Sequence, residues 1–296
     1  MEIRVAARPS RLSLKQVEII MDYISTRLGD GLQYEIVKTT TKGDKIRNKP
    51  LHEIGGKGLF EGEVDKLVLE GKADIAVHSL KDLPSELPNG LEVVAVAPRG
   101  PIEDSLIPRR GNNLLKPEEL PVGTLVAAGS PRRKHALLYA NPKVETTWIR
   151  GNLDTRLRKL DNGAADYLIA AEAGLVRLGI NRPRIILPIK PFTPAPGQGI
   201  IAIVAPSESS IARRLALATH EATHNEMLAE RVFLQTLAAG CAKPVGGIAR
   251  YRDGKIMFIA ATFSEDGRAM WFTIEGRDPY EVGSRAAEEV KSVPWW

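Results

Sequence analysis

The sequence predicts an α/β protein with two similar lobes and a small α+β domain at its C-terminal end. Three observations lead there. Short buried-type strands alternate with helical stretches from residue 3 to residue 170. Two breaker-rich crossings bracket one complete α/β block. Beyond residue 212 a long helical tract gives way to strand-like runs around a turn. The chain has 296 residues, which at roughly 150 per domain makes about two domains, with three small ones possible.

In chain order, residues 3–7 read as a short buried strand. Residues 12–28 carry apolar side chains near helical spacing (Leu14, Val17, Ile20, Ile24, Leu28), and 34–37 read as a strand. Residues 59–69 repeat the helical stripe through Phe60, Val64, Leu67 and Val68, and 74–77 follow as a strand. Strand and helix in alternation predict α/β layers on a mostly parallel sheet. Pro98-Arg99-Gly100-Pro101 interrupts the pattern. A second block follows: strand 122–127, helix 132–139, strand 144–148, helix 153–160 and strand 167–170. It ends in the proline-dense segment 183–196, and Gly197-Gln198-Gly199 leads into the apolar run 200–204. The expected path leaves domain 1 near Arg99 and returns to it near Ile200. Domain 1 then comprises 1–98 and 197–214, domain 2 comprises 99–196, and domain 3 comprises 215–296. A cleft between two such lobes is a natural ligand site. Residues 212–239 form one helical tract in this reading. Strands at 255–262 and 270–274 flank the turn Ser264-Glu265-Asp266-Gly267, and 280–292 reads as a helix. The polar, glycine-rich stretch from 38 to 58 is long for a connection and reads equally as a cationic lid or an insertion.

Composition narrows the function classes. Hydrophobic residues make up 43% and charged residues 26%, which suits a globular chain and excludes wholesale disorder. The single cysteine, Cys241, excludes an internal disulfide and a cysteine-based zinc site. No apolar stretch approaches the ~18 residues of a membrane span, and the first ten residues hold no signal-peptide core. The expected compartment is cytoplasmic. The net charge of +5 comes with 5% aromatics and no basic run longer than Arg132-Arg133-Lys134. That argues against nucleic acid and for scattered anion sites. The expected partner is a small molecule, with no membrane, and the chain is expected to act as a monomer.

Several motifs could carry chemistry. His220-Glu221-Ala222-Thr223-His224 spells a zinc-peptidase pattern. Its nearest carboxylates, Glu226 and Glu230, follow along the same helix and cannot wrap a metal, so no metal is expected. Gly55-Gly56-Lys57-Gly58 lacks the hydroxyl residue and the earlier glycine of a phosphate loop. Arg8, Arg132, Arg133, Arg150, Arg156 and Arg177 all fall near strand ends or helix starts, where ligands of open α/β sheets sit. Guanidinium forks beside helix N-termini suit carboxylates, so the cluster suggests a ligand with several carboxylates or phosphates. Lys81-Asp82 leaves a strand and reads either as a surface ion pair or as a carboxylate aimed into a cleft for acid–base work. Cys241, on a glycine-rich turn, reads as a small buried residue or as an accessible attachment point.

In this order, these motifs resemble the porphobilinogen deaminase family of tetrapyrrole biosynthesis. The carrying segments are Ala6–Ser10, Gly55–Phe60, Ala73–Pro84, Ser130–Arg133, Arg150-Gly151-Asn152 with Thr155-Arg156-Leu157, Ala173-Gly174-Leu175 with Arg177-Leu178-Gly179, Pro196–Gly199, and Glu230-Arg231 leading to Gly240-Cys241. The resemblance implies two lobes like those of a solute-binding protein (type II periplasmic-binding-like) and a third domain. It implies a transferase with a dipyrromethane cofactor held by a thioether at Cys241. Four porphobilinogen units are then added in turn, each losing ammonia, and hydrolysis releases hydroxymethylbilane. By the same resemblance Asp82 is catalytic, stabilising the azafulvene cation left by the departing amine. Cys241, Lys81, Asp82, Ser130, Arg132, Arg133 and Arg150 hold the cofactor. Arg8, Ser10, Arg150, Arg156 and Arg177 bind substrate. The chain departs from the family pattern at Ala128 and Gly129, where two hydroxyl residues are usual, and at Ala239 and Pro131. The alternative class is a non-catalytic two-lobed protein that binds or senses anionic solutes, which leaves Cys241 and the third domain without a role.

Overall fold

The computed structural model describes residues 2–29, 31–39, 62–238 and 243–296. The stretch 40–61, with most of the expected lid and Gly55–Phe60, and residues 239–242, with Cys241, lie outside the described residues.

The first lobe opens with β1 (Glu2–Ala7), α1 (Arg11–Leu28), β2 (Gln33–Lys38), α2 (Gly62–Leu69), β3 (Ile75–Ser79) and β4 (Leu91–Val96). The second lobe holds β5 (Asp104–Pro108), β6 (Leu125–Ala128), α3 (Pro131–Ala140), β7 (Glu145–Thr147), α4 (Leu153–Lys159), β8 (Tyr167–Ala171), α5 (Glu172–Arg177) and β9 (Ile185–Ile186). The chain then re-enters the first sheet as β10 (Ile201–Pro206), followed by α6 (Ser210–Ala216) and α7 (Glu221–Leu237). The last unit is β11 (Val245–Arg252), β12 (Lys255–Phe263), β13 (Ala269–Gly276) and α8 (Pro279–Lys291).

The two large sheets share one plan, with orders β2-β1-β3-β10-β4 and β7-β6-β8-β5-β9. In the first, β1 is parallel to β2 and β3 while β10 runs against β3 and β4. In the second, β6 is parallel to β7 and β8 while β5 runs against β8 and β9. Four of the five strands in each sheet therefore run one way, as the mostly parallel expectation has it, and a single strand, β10 or β5, runs against them. The reason lies in the crossings. β10 and β5 each begin at the junction where β3 and β8 finish, so they must run the other way.

Each sheet buries both faces. Val17, Ile20, Met21 and Ile24 of α1 pack on Ile3, Val5, Ile75 and Val77. Val64 and Val68 of α2 pack on the opposite face, against Ala6, Ala76, Ala202 and Val204, where Met227 of α7 joins them. In the second lobe Ala136 and Leu137 of α3 cover Leu106, Val126 and Ile169, while Leu157 and Leu160 cover Ile107, Ala127 and Leu168. Each fully buried aliphatic side chain contributes roughly 1.5–3 kcal/mol. In the last unit α7 and α8 lie on a three-stranded antiparallel meander around Phe233, Phe258 and Ile274.

Two expectations are corrected. The helical tract at 212–239 is two helices, α6 and α7. The segment between them bonds to the end of β4 instead of continuing the helix: Val96 N–H donates to Thr219 Oγ1 at 3.1 Å, and His220 N–H donates to the Val96 carbonyl at 3.0 Å. The strand expected from 122 starts at Leu125, because 121–124 closes a turn in which Thr124 N–H reaches the Pro121 carbonyl. The strands β4, β5 and β11 and the short helix α5 add to the elements read from the pattern.

Candidate active site

The site grows from the ends of strands. Beyond β3, Leu80–Asp82 form one turn of 3-10 helix. Beyond β6, Ser130 caps α3, its hydroxyl accepting from Arg133 N–H at 3.3 Å. Ser10 caps α1 in the same way through Ser13 N–H. Both serines therefore fix the helix starts that carry the site, a role the pattern of hydroxyl residues before helical runs encodes.

Arg132 and Arg133 are buried and share one carboxylate. Arg132 donates to Asp104 Oδ2 at 2.8 Å and to the Thr193 carbonyl at 2.8 Å, and Arg133 donates to Asp104 Oδ1 at 2.7 Å. Burial alone would raise the Asp104 carboxyl, but the two guanidinium groups outweigh it and hold it well below the usual carboxylate range. Gln198, fully buried, extends this cluster across the junction. Its Nε2 donates to Asp104 Oδ1 at 3.0 Å and to the Ile102 carbonyl at 2.7 Å, while its Oε1 accepts from Lys81 Nζ at 3.3 Å. Lys81 of the first lobe is thus wired to Asp104 of the second through one amide. Burial, then the nearby Arg133, draws Lys81 down to about 8, while Asp82 and Asp104 pull the other way.

Around this paired core lie cationic groups whose needs are not met. Arg150 Nη1 and Nη2 and Arg133 Nε are buried with no hydrogen-bond partner among the described residues. Arg156 donates from Nε to the Gly151 carbonyl at 2.7 Å. Burial, then Arg133, then Arg150 and Arg8 lower Arg156 to about 10, against the pull of Asp82. Asp82 is exposed, yet it lies within electrostatic reach of Lys81 on its own lobe and Arg156 on the other. Its charge is therefore felt by cations of both lobes. At the cleft mouth Arg8 Nη2 reaches Asn152 Oδ1 at 3.4 Å and Arg11 pairs with Asp154 at 3.0 Å.

Arg177 stands apart from this group. Its Nη2 donates to the Gly199 carbonyl at 2.7 Å, the same carbonyl that accepts Gly100 N–H from the first crossing at 2.9 Å. Burial lowers it to about 10. The structure thus brings Arg8, Lys81, Asp82, Arg132, Arg133, Arg150 and Arg156 into one cleft and seats Arg177 on the junction. His78 is a core residue, its Nε2 2.8 Å from the buried Asp65. His220 caps α7, its Nδ1 meeting Thr223 N–H and Oγ1.

Three positions that build the site received no role from the sequence: Asp104, and Gln198 and Arg231, which lie only within segments that carry the resemblance. Asp104 opens an apolar run, and Gln198 sits between two glycines after Pro196. These were the only local signals. Arg231 on α7 donates to the carbonyls of Pro84 and Ser85 at 3.2 and 2.9 Å, and Gln235 joins at Ser85. The last unit therefore grips the chain two residues past Asp82. An Arg99 cluster completes that docking: its guanidinium reaches Glu226 at 3.0 Å and Glu230 at 2.7 Å, and Glu230 also accepts from Ala249 N–H and Gly197 N–H.

Two α/β lobes and, among the described residues, a buried cation cluster short of counter-charge suit a small ligand carrying several anionic groups. Comparison with known proteins gives the particular family. Residues 3–214 match the model of the porphobilinogen deaminase dipyromethane cofactor binding domain, and residues 224–292 match that of the porphobilinogen deaminase C-terminal domain. A probable porphobilinogen deaminase of Pyrobaculum calidifontis is 43% identical over 297 residues, covering 99% of both chains. That of Ignicoccus hospitalis is 43% identical, covering 99% of this chain and 96% of its own. Among solved structures the chain is similar to a TRAP periplasmic solute-binding protein from Desulfovibrio salexigens, with a TM-score of 0.44, 15% identity and coverage of 75% and 73%. The chain belongs to the porphobilinogen deaminase family. No helix among the described residues is long and apolar enough to cross a membrane.

Proposed function

We propose that the cleft between the two lobes is where the chain performs its family's reaction, with Asp82 as the catalytic carboxylate. As a hydroxymethylbilane synthase of tetrapyrrole biosynthesis, the chain condenses four porphobilinogen molecules with loss of ammonia and releases the linear tetrapyrrole. The dipyrromethane group, joined through a thioether at Cys241, supplies the carbon to which substrate is first attached. The residues present fit such a group, because the buried Arg150 nitrogens and Arg133 Nε lack partners among the described residues and suit carboxylate arms.

Lys81, Arg132, Arg133 and Arg150, with the Ser130 cap that fixes their helix, would hold the cofactor. Arg8, Ser10, Arg150 and Arg156 would hold incoming substrate; Arg177 belongs to that set by the resemblance alone, its guanidinium lying at the junction. Asp82 stabilises positive charge left by the departing amine, accepts from pyrrole N–H groups and moves protons at the reacting carbon. Asp82 and Lys81 arrive on one turn, so the base and a cation that attracts carboxylates share a single mount. The domain division at 98, 197 and 215, a cytoplasmic setting and a monomer complete the reading. The observation that carries it is the unmet guanidinium cluster within electrostatic reach of Asp82. The solute-binding alternative explains that cluster but not the grip of α7 on the Asp82 turn.

Intact-protein mass spectrometry tests the attachment. The purified protein is expected to exceed its sequence mass by two linked pyrroles, and Cys241→Ser to lack the addition. An active protein of unmodified mass removes the thioether. Asp82→Asn is expected to keep the addition and lose about 10²–10⁴ in turnover, and near-normal turnover removes Asp82 from the mechanism.

A further inference from the structure

Gly129 joins the end of β6 to the Ser130 cap of α3. Its backbone lies outside the left-handed region, so φ alone does not demand glycine. What the position lacks is room. A Cβ built there would stand 2.8 Å from Arg156 Nη1, 3.5 Å from Arg156 Cζ and 3.5 Å from the Ile149 carbonyl oxygen. Comfortable contacts between such atoms fall near 3.5–4.0 Å. On its other side Arg156 is tied to the Gly151 carbonyl through Nε at 2.7 Å. The guanidinium is therefore seated between the bare Cα of Gly129 and the turn at 150–152.

We propose that Gly129 is a positioning residue for Arg156: the missing side chain sets where the Arg156 guanidinium meets a carboxylate arm of the pyrrole substrate. The proposal rests on the reading of Arg156 as a substrate-binding group. The crowding atoms are the far end of a flexible side chain, while the one backbone contact is an ordinary 3.5 Å. A methyl group at 129 thus leaves the backbone in place and displaces the guanidinium. The neighbourhood amplifies that displacement. Asp82 attracts the group while Arg133, Arg150 and Arg8 repel it, so a shifted Arg156 does not find an equivalent seat.

The test is a double-mutant cycle on the full-length protein carrying its covalent group, read as KM for porphobilinogen, turnover and thermal midpoint. Gly129→Ala is expected to raise KM about tenfold, the loss of one charge-assisted contact, with turnover and thermal midpoint unchanged. Arg156→Lys removes the branched nitrogens that meet the new methyl group, so in that background Gly129→Ala is expected to change KM little. An unchanged KM in Gly129→Ala, the same factor in both backgrounds, or a lowered thermal midpoint accounting for the change overturns the proposal. Arg156→Ala separates the two layers. If it leaves KM unchanged, the assignment of Arg156 fails. If it raises KM while Gly129→Ala does not, only the inference fails.

Discussion

The guanidinium nitrogens of Arg99 at the junction and Arg150 in the cleft are both withdrawn from water, yet among the described residues only the first meets carboxylates. Arg99 meets Glu226 and Glu230 and donates from Nε to the Gln198 carbonyl. Both terminal nitrogens of Arg150 are buried without a partner among the described residues. A buried guanidinium without counter-charge is costly, so Arg150 is a position where an added anion brings relief. The Arg132–Arg133 pair stands between these extremes. It shares Asp104 and still leaves Arg133 Nε over. Counter-charge, not residue type, divides arginines that hold the lobes and the last unit together from arginines left open to an anion.

The contrast predicts opposite phenotypes. The largest effect is expected at the junction. Glu230→Gln leaves Arg99 only one carboxylate and turns one of the two oxygens that accept from Gly197 and Ala249 into a donor, and denaturant unfolding should show a loss of about 3–5 kcal/mol. A neutral result would mean the junction is not held by charge. In the cleft, Arg150→Ala should leave unfolding unchanged or more favourable to the native state. It should weaken substrate binding about tenfold to a hundredfold, read as KM. Lost stability in that variant would erase the distinction.

A smaller effect is expected from pH. Lys81 is lowered from 10.5 to about 8 in the folded chain. Between those values the unfolded chain binds a proton that the folded chain has released, so this group's contribution to stability rises with pH there. Anion binding moves the other way. As pH climbs through about 8, Lys81 loses its charge, and KM should rise by about tenfold per unit at most. Lys81→Arg, permanently charged, should flatten that rise. Smallest of all, Arg11→Ala breaks an exposed pair across the cleft mouth and should change stability by about 0–1 kcal/mol.

Much of the scaffold is legible because periodicity reports burial directly. The α1 stripe of Val17, Ile20 and Ile24 is the face that packs on the sheet. Illegible elements are those whose polar or small residues answer to distant partners. β5 begins Asp104-Ser105, both fully buried, which is acceptable only because Arg132, Arg133 and Glu172 meet them. β11 contains Gly246-Gly247, which looks like a break. Yet a Cβ on Gly247 would strike the Phe233 ring at 2.9 Å, so the glycine is there for packing. The site divides likewise. Arginines at strand ends and Lys81-Asp82 announce themselves by residue type and place. Gln198 does not, since an amide between two glycines is ordinary until Lys81 and Asp104 are found on either side of it.

By itself the amino-acid sequence determined the alternation of strands and helices, the two crossings, the supply of cations and the residues that carry the family likeness. These follow from local periodicity, backbone restriction at proline and glycine, and side-chain chemistry. Only the tertiary structure decided which cations are neutralised and which stay open, that Gln198 spans the junction, and that Arg156 rests against Gly129. Those outcomes depend on residues far apart in the chain meeting within a few ångströms, where burial makes each missing or present counter-charge decisive.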